Sequence, residues 1–315
     1  MSADPRLGLL LALADDELVM GHRLSEWTGW VPYVEEDLAM SSIAQDEIGH
    51  ARALYEIASI VDGRDVDALA LGREPGEYRN AVICERPNRD YAYTAARHYL
   101  YDSADDVRLE ALAASSFKEL AELVRVLRIE ERYHLDHART WFRRLAAGPV
   151  EARQRFSDAL ADALPEAMAI FEPLPHEDAL LADKTLPLSN EAMLSAWLER
   201  VGRDLEDVGL ENVLDSGPDA AVGEMLPTSS GASEAIESTP RTLATPGSVT
   251  QNARRAHVSG QASVRTPGLE RRDGRWVQTG GFTGAGGRSG HHSDDFAPLW
   301  EEMTALHRAH PGARW

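Results

Sequence analysis

Gln45-Asp46-Glu47-Ile48-Gly49-His50 is the stretch that decides how this 315-residue chain is read. Met40, Ile43, Leu54 and Ile57 lie on one stripe of a 3.6-residue helix. Glu47 and His50 fall on the same stripe, where leucines are expected. A carboxylate and an imidazole on a core-facing stripe need a partner. Glu130-Glu131-Arg132-Tyr133-His134 repeats the pattern, with Leu120, Val124, Leu127, Glu131, His134, Ala138 and Trp141 on one face.

Paired Glu-x-x-His segments on two helices, with a further carboxylate from each of two others, are the ligand set of di-iron and di-manganese four-helix bundles. The i, i+3 spacing sets the carboxylate and the imidazole side by side. Thirty residues before Glu47 stands Glu17, on a stripe through Leu10, Leu13, Ala14, Met20 and Leu24. Twenty-nine residues before Glu131 stands Asp102, on a stripe through Ala95, His98, Leu109 and Leu112. The chain therefore reads as a duplicated helix pair, with Glu17, Glu47, His50, Asp102, Glu131 and His134 as candidate metal ligands. Asp102 is one methylene shorter than a glutamate, and Asp105 and Asp106 compete for its role. Two iron ions are the cofactor this set admits. Protonated carboxylates paired with His50 and His134 are the alternative way to neutralise it.

Composition narrows the partners. Asp and Glu number 52 against 32 Lys and Arg, and the formal charge of −20 argues against nucleic acid and anionic membranes as binding surfaces. An acidic, arginine-rich chain whose only lysines are Lys118 and Lys184 also fits a halophilic source. The single cysteine, Cys84, excludes an internal disulfide framework and points to a reducing compartment. No stretch has the length and apolarity of a membrane span, and Met1-Ser2-Ala3-Asp4-Pro5 lacks the basic and apolar regions of a secretory signal. A cytoplasmic protein is expected.

In order along the chain, Asp4-Pro5 opens a first helix to about Glu26, and Pro32 starts a second that Asp62-Gly63 stops. Residues 62–90 form a connection long enough to cross a bundle, as ferritin-like folds require once. A third helix is expected over about Asp90–Ala113. Ser116-Phe117-Lys118-Glu119 reads as the capping box of a fourth, which ends at Gly148-Pro149. Helical spacing continues through Phe156, Leu160 and Leu164, then through Leu194, Leu198 and Val201. The fold class is thus all-α, a ferritin-like four-helix bundle with one long crossover and extra C-terminal helices. Residues 1–210 form the bundle and its flanking helices, and 215–268 a low-complexity insertion too poor in large apolar residues to order itself. Order returns near Trp276, and 276–315 form a C-terminal segment and helix, capped by Ser293, that dock on the bundle. His291-His292 are not expected to form a metal site.

Several stretches resemble the PaaC family, the C component of ring-1,2-phenylacetyl-CoA epoxidases. They are Leu18-Val19-Met20-Gly21-His22-Arg23-Leu24-Ser25-Glu26-Trp27, Glu36-Asp37-Leu38-Ala39, Arg132-Tyr133-His134-Leu135 and Pro298-Leu299-Trp300-Glu301-Glu302-Met303. The resemblance covers most of the chain outside the insertion. It implies a structural and assembly subunit that pairs, as a hetero-oligomer, with the epoxidase's catalytic A component. That component has a similar fold and a di-iron centre that activates dioxygen, and through it the chain meets a reductase and other subunits indirectly. Family members often lack several metal-binding side chains. This chain departs from that pattern by keeping Glu17, Glu47, His50, Glu131 and His134, so the resemblance leaves two states open, a remnant held by salt bridges or a site that binds two metals.

Overall fold

The structure, a computed structural model, describes residues 4–31, 33–215, 269–272, 275–278 and 284–310. Helix α1 (Pro5–Ser25) starts as its sequence dictates. Asp4 accepts the Arg6 N–H at 3.0 Å, and Pro5, which has no N–H to satisfy, takes the first turn. Helix α2 (Val34–Asp62) ends at Gly63, whose φ of 85° closes the helix with a bond from its N–H to Ser59 O. Helix α5 (Tyr91–Leu112) is capped by Asp90, and α6 (Lys118–Ala146) follows after a short turn. The expected capping box at Ser116 does not form. Phe117 holds the cap position, Ser115 Oγ takes the Phe117 N–H, and the Ser116 N–H is committed to Lys184 O at 2.9 Å.

Cross-helix contacts fix the topology. Glu36 near the start of α2 accepts from Trp141 near the end of α6, and His50 meets Glu130, so α2 and α6 are antiparallel. The tight turn between α5 and α6 makes those two antiparallel as well, which leaves α2 and α5 parallel. The chain between them must return the full length of α2, roughly 40 Å at 1.5 Å per residue. It does so through α3 (Val66–Ala70), a 3-10 turn at Pro75–Glu77 and α4 (Val82–Glu85). This is the single long crossover of a ferritin-like bundle.

Helices α1 and α5 are buried on nearly every side, because later elements cover their outer faces. α7 (Val150–Ala167) and α9 (Asn190–Asp207) pack on α5, with the Trp197 indole N–H donating to Ser103 Oγ at 2.8 Å. α8 (Glu177–Ala182) lies against α1, and α10 (Asn212–Asp215) against α7. α2 and α6 keep an apolar inner stripe and a solvent face. Their far ends are tied together by Glu36, which accepts from the Tyr91 hydroxyl, the Trp141 indole N–H and a ring nitrogen of His137.

The C-terminal segment enters the core through an arginine. Arg288 lies buried, its two terminal nitrogens each 2.8 Å from an Asp16 oxygen, and it also donates to Ile170 O and Arg79 O. Gly287 permits this insertion, since a Cβ there would collide with Asn80 O. His292 docks on Glu85 at 2.9 Å and serves as a structural contact. Ser293 does not cap α11 (Phe296–Ala309) directly, because Asp295 holds the cap position and Ser293 Oγ takes the Asp295 N–H.

The all-α reading has one exception among the described residues. Strands β1 (Leu269–Arg272) and β2 (Arg275–Gln278) pair antiparallel, Leu269 opposite Gln278, so order returns ahead of Trp276. Asp273-Gly274 between them is a hairpin dipeptide in sequence. The insertion, apart from Asp215, lies outside the described residues.

Candidate metal centre

The inner stripes of α1, α2 and α6 bring Glu17, Glu47, His50 and Glu131 to one buried point. One ligand atom from each lies within 4.8 Å of all the others, and this group can hold a metal ion. His50 Nδ1 stands 2.8 Å from Glu131 Oε1 and 3.7 Å from Glu17 Oε2. His134 Nδ1 stands 3.4 Å from Glu131 Oε1 and 3.7 Å from Glu47 Oε1. The two imidazoles are stacked, with ring centroids 5.8 Å apart. Glu17 also accepts from the Tyr101 hydroxyl at 3.1 Å.

Asp102 is buried beside them, close enough for its charge to act on Glu47 and His134, but outside the group of four whose ligand atoms lie within 4.8 Å of one another. Its Oδ2 lies 2.9 Å from Nε2 of His98, one turn back on the same helix. Asp105, the first competitor, is gripped by Arg108. Asp106, the second, pairs with Arg200 away from the cluster.

Sequence reasoning passed over two groups that organise this centre. The outer nitrogen of His50 lies 2.8 Å from Glu130, and the outer nitrogen of His134 lies 3.3 Å from Asp46. Each helix thus lends the acid that precedes its own inward glutamate to the histidine of the other helix. The signal was present as the doublets Asp46-Glu47 and Glu130-Glu131, one turn before each histidine. A carboxylate on the outer nitrogen fixes the ring and turns the inner nitrogen toward the centre, which is how ligating histidines are usually oriented.

Burying these acids shifts their protonation. Burial pushes Glu47 well above the usual carboxylate range, and the neighbouring charges of Glu17 and Glu131 push it further. Asp102 is raised by burial against the pull of His98, and Asp105 is raised well up by burial against the pull of Arg108. Burial alone would lower the two imidazoles. The carboxylates of Glu131 and Glu17 outweigh it at His50 and push it up to about 11, and Glu131 with Asp102 pushes His134 up to about 9. Glu131 is opposed by burial but held down at about 2 by His134 and His50. Protons on Glu47, His50 and His134 are thus one way to offset the buried charge, and a metal ion is the other.

The donor set fits a metal ion on a second observation. Both oxygens of Glu47 and of Glu131, one of Glu17, and the inner nitrogens of His50 and His134 are buried without a hydrogen-bond partner. Unpartnered atoms of this kind, converging from three helices, are what an ion would satisfy. The complete two-ion set further needs a carboxylate from α5, and Asp102, whose two oxygens are likewise buried without a hydrogen-bond partner and whose Oδ2 faces His98, is the candidate there.

Comparison with known proteins agrees with this architecture. The family described as phenylacetic acid catabolic protein matches residues 2–216. The C component of the 1,2-phenylacetyl-CoA epoxidase of Escherichia coli (strain K12) is 30% identical over 201 residues, 64% of this chain and 81% of that protein. The chain belongs to the phenylacetic acid catabolic protein family, whose fold is the ferritin-like helical bundle described above.

Proposed function

We propose that this chain is a structural and assembly subunit of a multicomponent phenylacetyl-CoA 1,2-epoxidase in aerobic phenylacetate breakdown. It pairs as a hetero-oligomer with a ferritin-like catalytic component that carries the di-iron centre, and a reductase acts through that pair. The observation that carries this reading is the contact of His50 with Glu131 at 2.8 Å and of Asp102 with His98 at 2.9 Å, acid–imidazole pairs that can balance the buried charge without an ion. Protonated imidazoles on Glu131 and a protonated Glu47 let the buried acids stand without an ion, as paired charges in an interior must. The test is turnover of phenylacetyl-CoA with dioxygen and reductant. The chain alone gives none, the pair turns over, and a Glu47→Ala variant of this chain that still binds its partner keeps most of the pair's rate.

The unpartnered inner atoms favour a second reading, in which the chain itself binds two iron ions. Glu17, Glu47, His50, Asp102, Glu131 and His134 would hold them. When bound, such a pair supplies the electrons that activate dioxygen. The chain's own residues would orient the imidazoles through Asp46 and Glu130 and release the protons held on His50 and His134.

A further inference from the structure

Five arginines lie buried among the described residues: Arg23, Arg73, Arg97, Arg108 and Arg288. Four of them have an acid. Arg23 pairs with Glu26, Arg73 with Asp15, Arg108 with Asp16 and Asp105, and Arg288 with Asp16. Arg97 on α5 is the most deeply buried of the five, at 0% exposure, and has no carboxylate. Its terminal nitrogens donate to two neutral acceptors at the end of the crossover, Arg86 O and Asn88 Oδ1, and its Nε–H is buried without a partner. The acids whose charge reaches this corner are spent on other arginines, Glu26 on Arg23 and Glu166 on Arg86. A guanidinium in an interior without a counter-ion is costly, because it has lost its water and gained no opposite charge.

A second orphan stands one helical turn before it. Tyr93 is 3% exposed, its hydroxyl has no hydrogen-bond partner, and its ring centroid lies 5.8 Å from Arg97 Cζ. The i, i+4 spacing sets the two side chains on one face of α5. Burial raises the phenol above its ordinary 10, against the pull of Arg97, Arg89 and Arg86, so at neutral pH it is protonated and is no counter-ion for Arg97. The two open groups are a cationic N–H and a phenolic O–H. What both lack is an acceptor, and for Arg97 a negative one.

We propose that Arg97 and Tyr93 form a buried site for a small inorganic anion, chloride, which accepts from the Arg97 Nε–H and the Tyr93 hydroxyl. A monatomic ion suits the pair, since sulfate or phosphate would bring more oxygens than two open donors can satisfy. The ion balances Arg97, and through the guanidinium's grip on Arg86 O and Asn88 Oδ1 it ties the end of the crossover to α5. The site is independent of the acid–imidazole cluster and of the pairing proposed above.

Thermal unfolding of the full chain in sodium chloride and in sodium gluconate, at equal ionic strength, tests it. Both salts screen the net charge of −20 alike, so a bound ion is what separates them. Chloride is expected to raise the midpoint by about 2–4 °C over gluconate and to saturate as it does so. Arg97→Met is expected to abolish the difference and Tyr93→Phe to reduce it, while Arg52→Met, at an exposed arginine, leaves it intact. Bromide gives a readout that needs no variant: crystals of the wild-type chain grown in bromide are expected to show an anomalous peak between Arg97 and Tyr93. Equal midpoints in the two salts, or an ordered water there that bromide does not replace, would overturn the site. A chloride effect that Arg97→Met retains would place the ion elsewhere and overturn it as well.

Discussion

His134 and His50 hold their protons because Glu131 faces both inner nitrogens, and this makes the centre's strength a function of pH. An imidazole raised from 6.5 to about 9 stabilises the fold in full below pH 6.5, and its contribution disappears as pH climbs through about 9 for His134. Glu131, lowered from 4.5 to about 2, contributes in full above pH 4.5 and loses its effect as pH falls through about 2. The cluster therefore stabilises most between those limits, and urea midpoints of wild type and His134→Gln are expected to differ near pH 6 and converge by pH 10. A divalent ion needs the same nitrogens bare, so cobalt(II) affinity is expected to rise with pH over that range. Removing an orienting acid, as in Asp46→Ala or Glu130→Ala, is expected to weaken cobalt(II) binding by about 10–100-fold in a titration followed by visible absorption. The inward glutamates and histidines were legible in sequence because each sits where a helical stripe demands a leucine. Asp46 and Glu130 were not, since each acts on the opposite helix and a helical period reports only its own face. His98 was hidden for a related reason, being read as part of a stripe when its partner was the ligand candidate four residues on.

At the level of helices, two glycines mark where α2 touches a neighbour and where it does not. A Cβ on Gly21 would stand 2.8 Å from Ile48 Cγ1, 3.0 Å from Ala44 O and 3.1 Å from Glu47 Cβ, so α1 and α2 meet there with no room to spare. Gly21→Ala is expected to destabilise the fold by about 1–3 kcal/mol, as overpacking does, and to shift Glu17 relative to Glu47 and His50. Gly49→Ala is expected to stabilise the isolated chain by up to about 1 kcal/mol, since the added methyl meets open space and alanine is the better helix former. Denaturant unfolding of both variants checks the opposite signs. Long helices with a single buried stripe, such as α6, were readable within a residue or two, and so were the caps at Asp4 and Gly63. The short helices α3 and α4 were not, because a single turn carries no period and its position is set by what it packs on. The capping box at Ser116 failed through a tertiary contact, the claim of Lys184 O on its N–H.

The whole molecule is closed by Asp16, a fully buried acid on α1 that Arg108 from α5 and Arg288 from the C-terminal segment both grip. Burial works to raise its carboxyl, and the two guanidinium groups outweigh it and hold it below the ordinary 3.8. Its contribution is thus present above pH 3.8 and lost as pH falls below it, so limited proteolysis of the C-terminal segment is expected to accelerate under acid. Arg288→Ala breaks a buried pair and is expected to cost about 3–5 kcal/mol in denaturant unfolding. On the proposed reading the acid–imidazole cluster serves the fold and the pairing rather than oxygen chemistry of its own. Iron content after anaerobic reconstitution of the isolated chain, read by elemental analysis beside Glu47→Ala and His134→Ala, decides between those roles. Fewer than two irons per chain are expected, in protein that still binds its partner. Two irons per chain, lost in both variants, would contradict it.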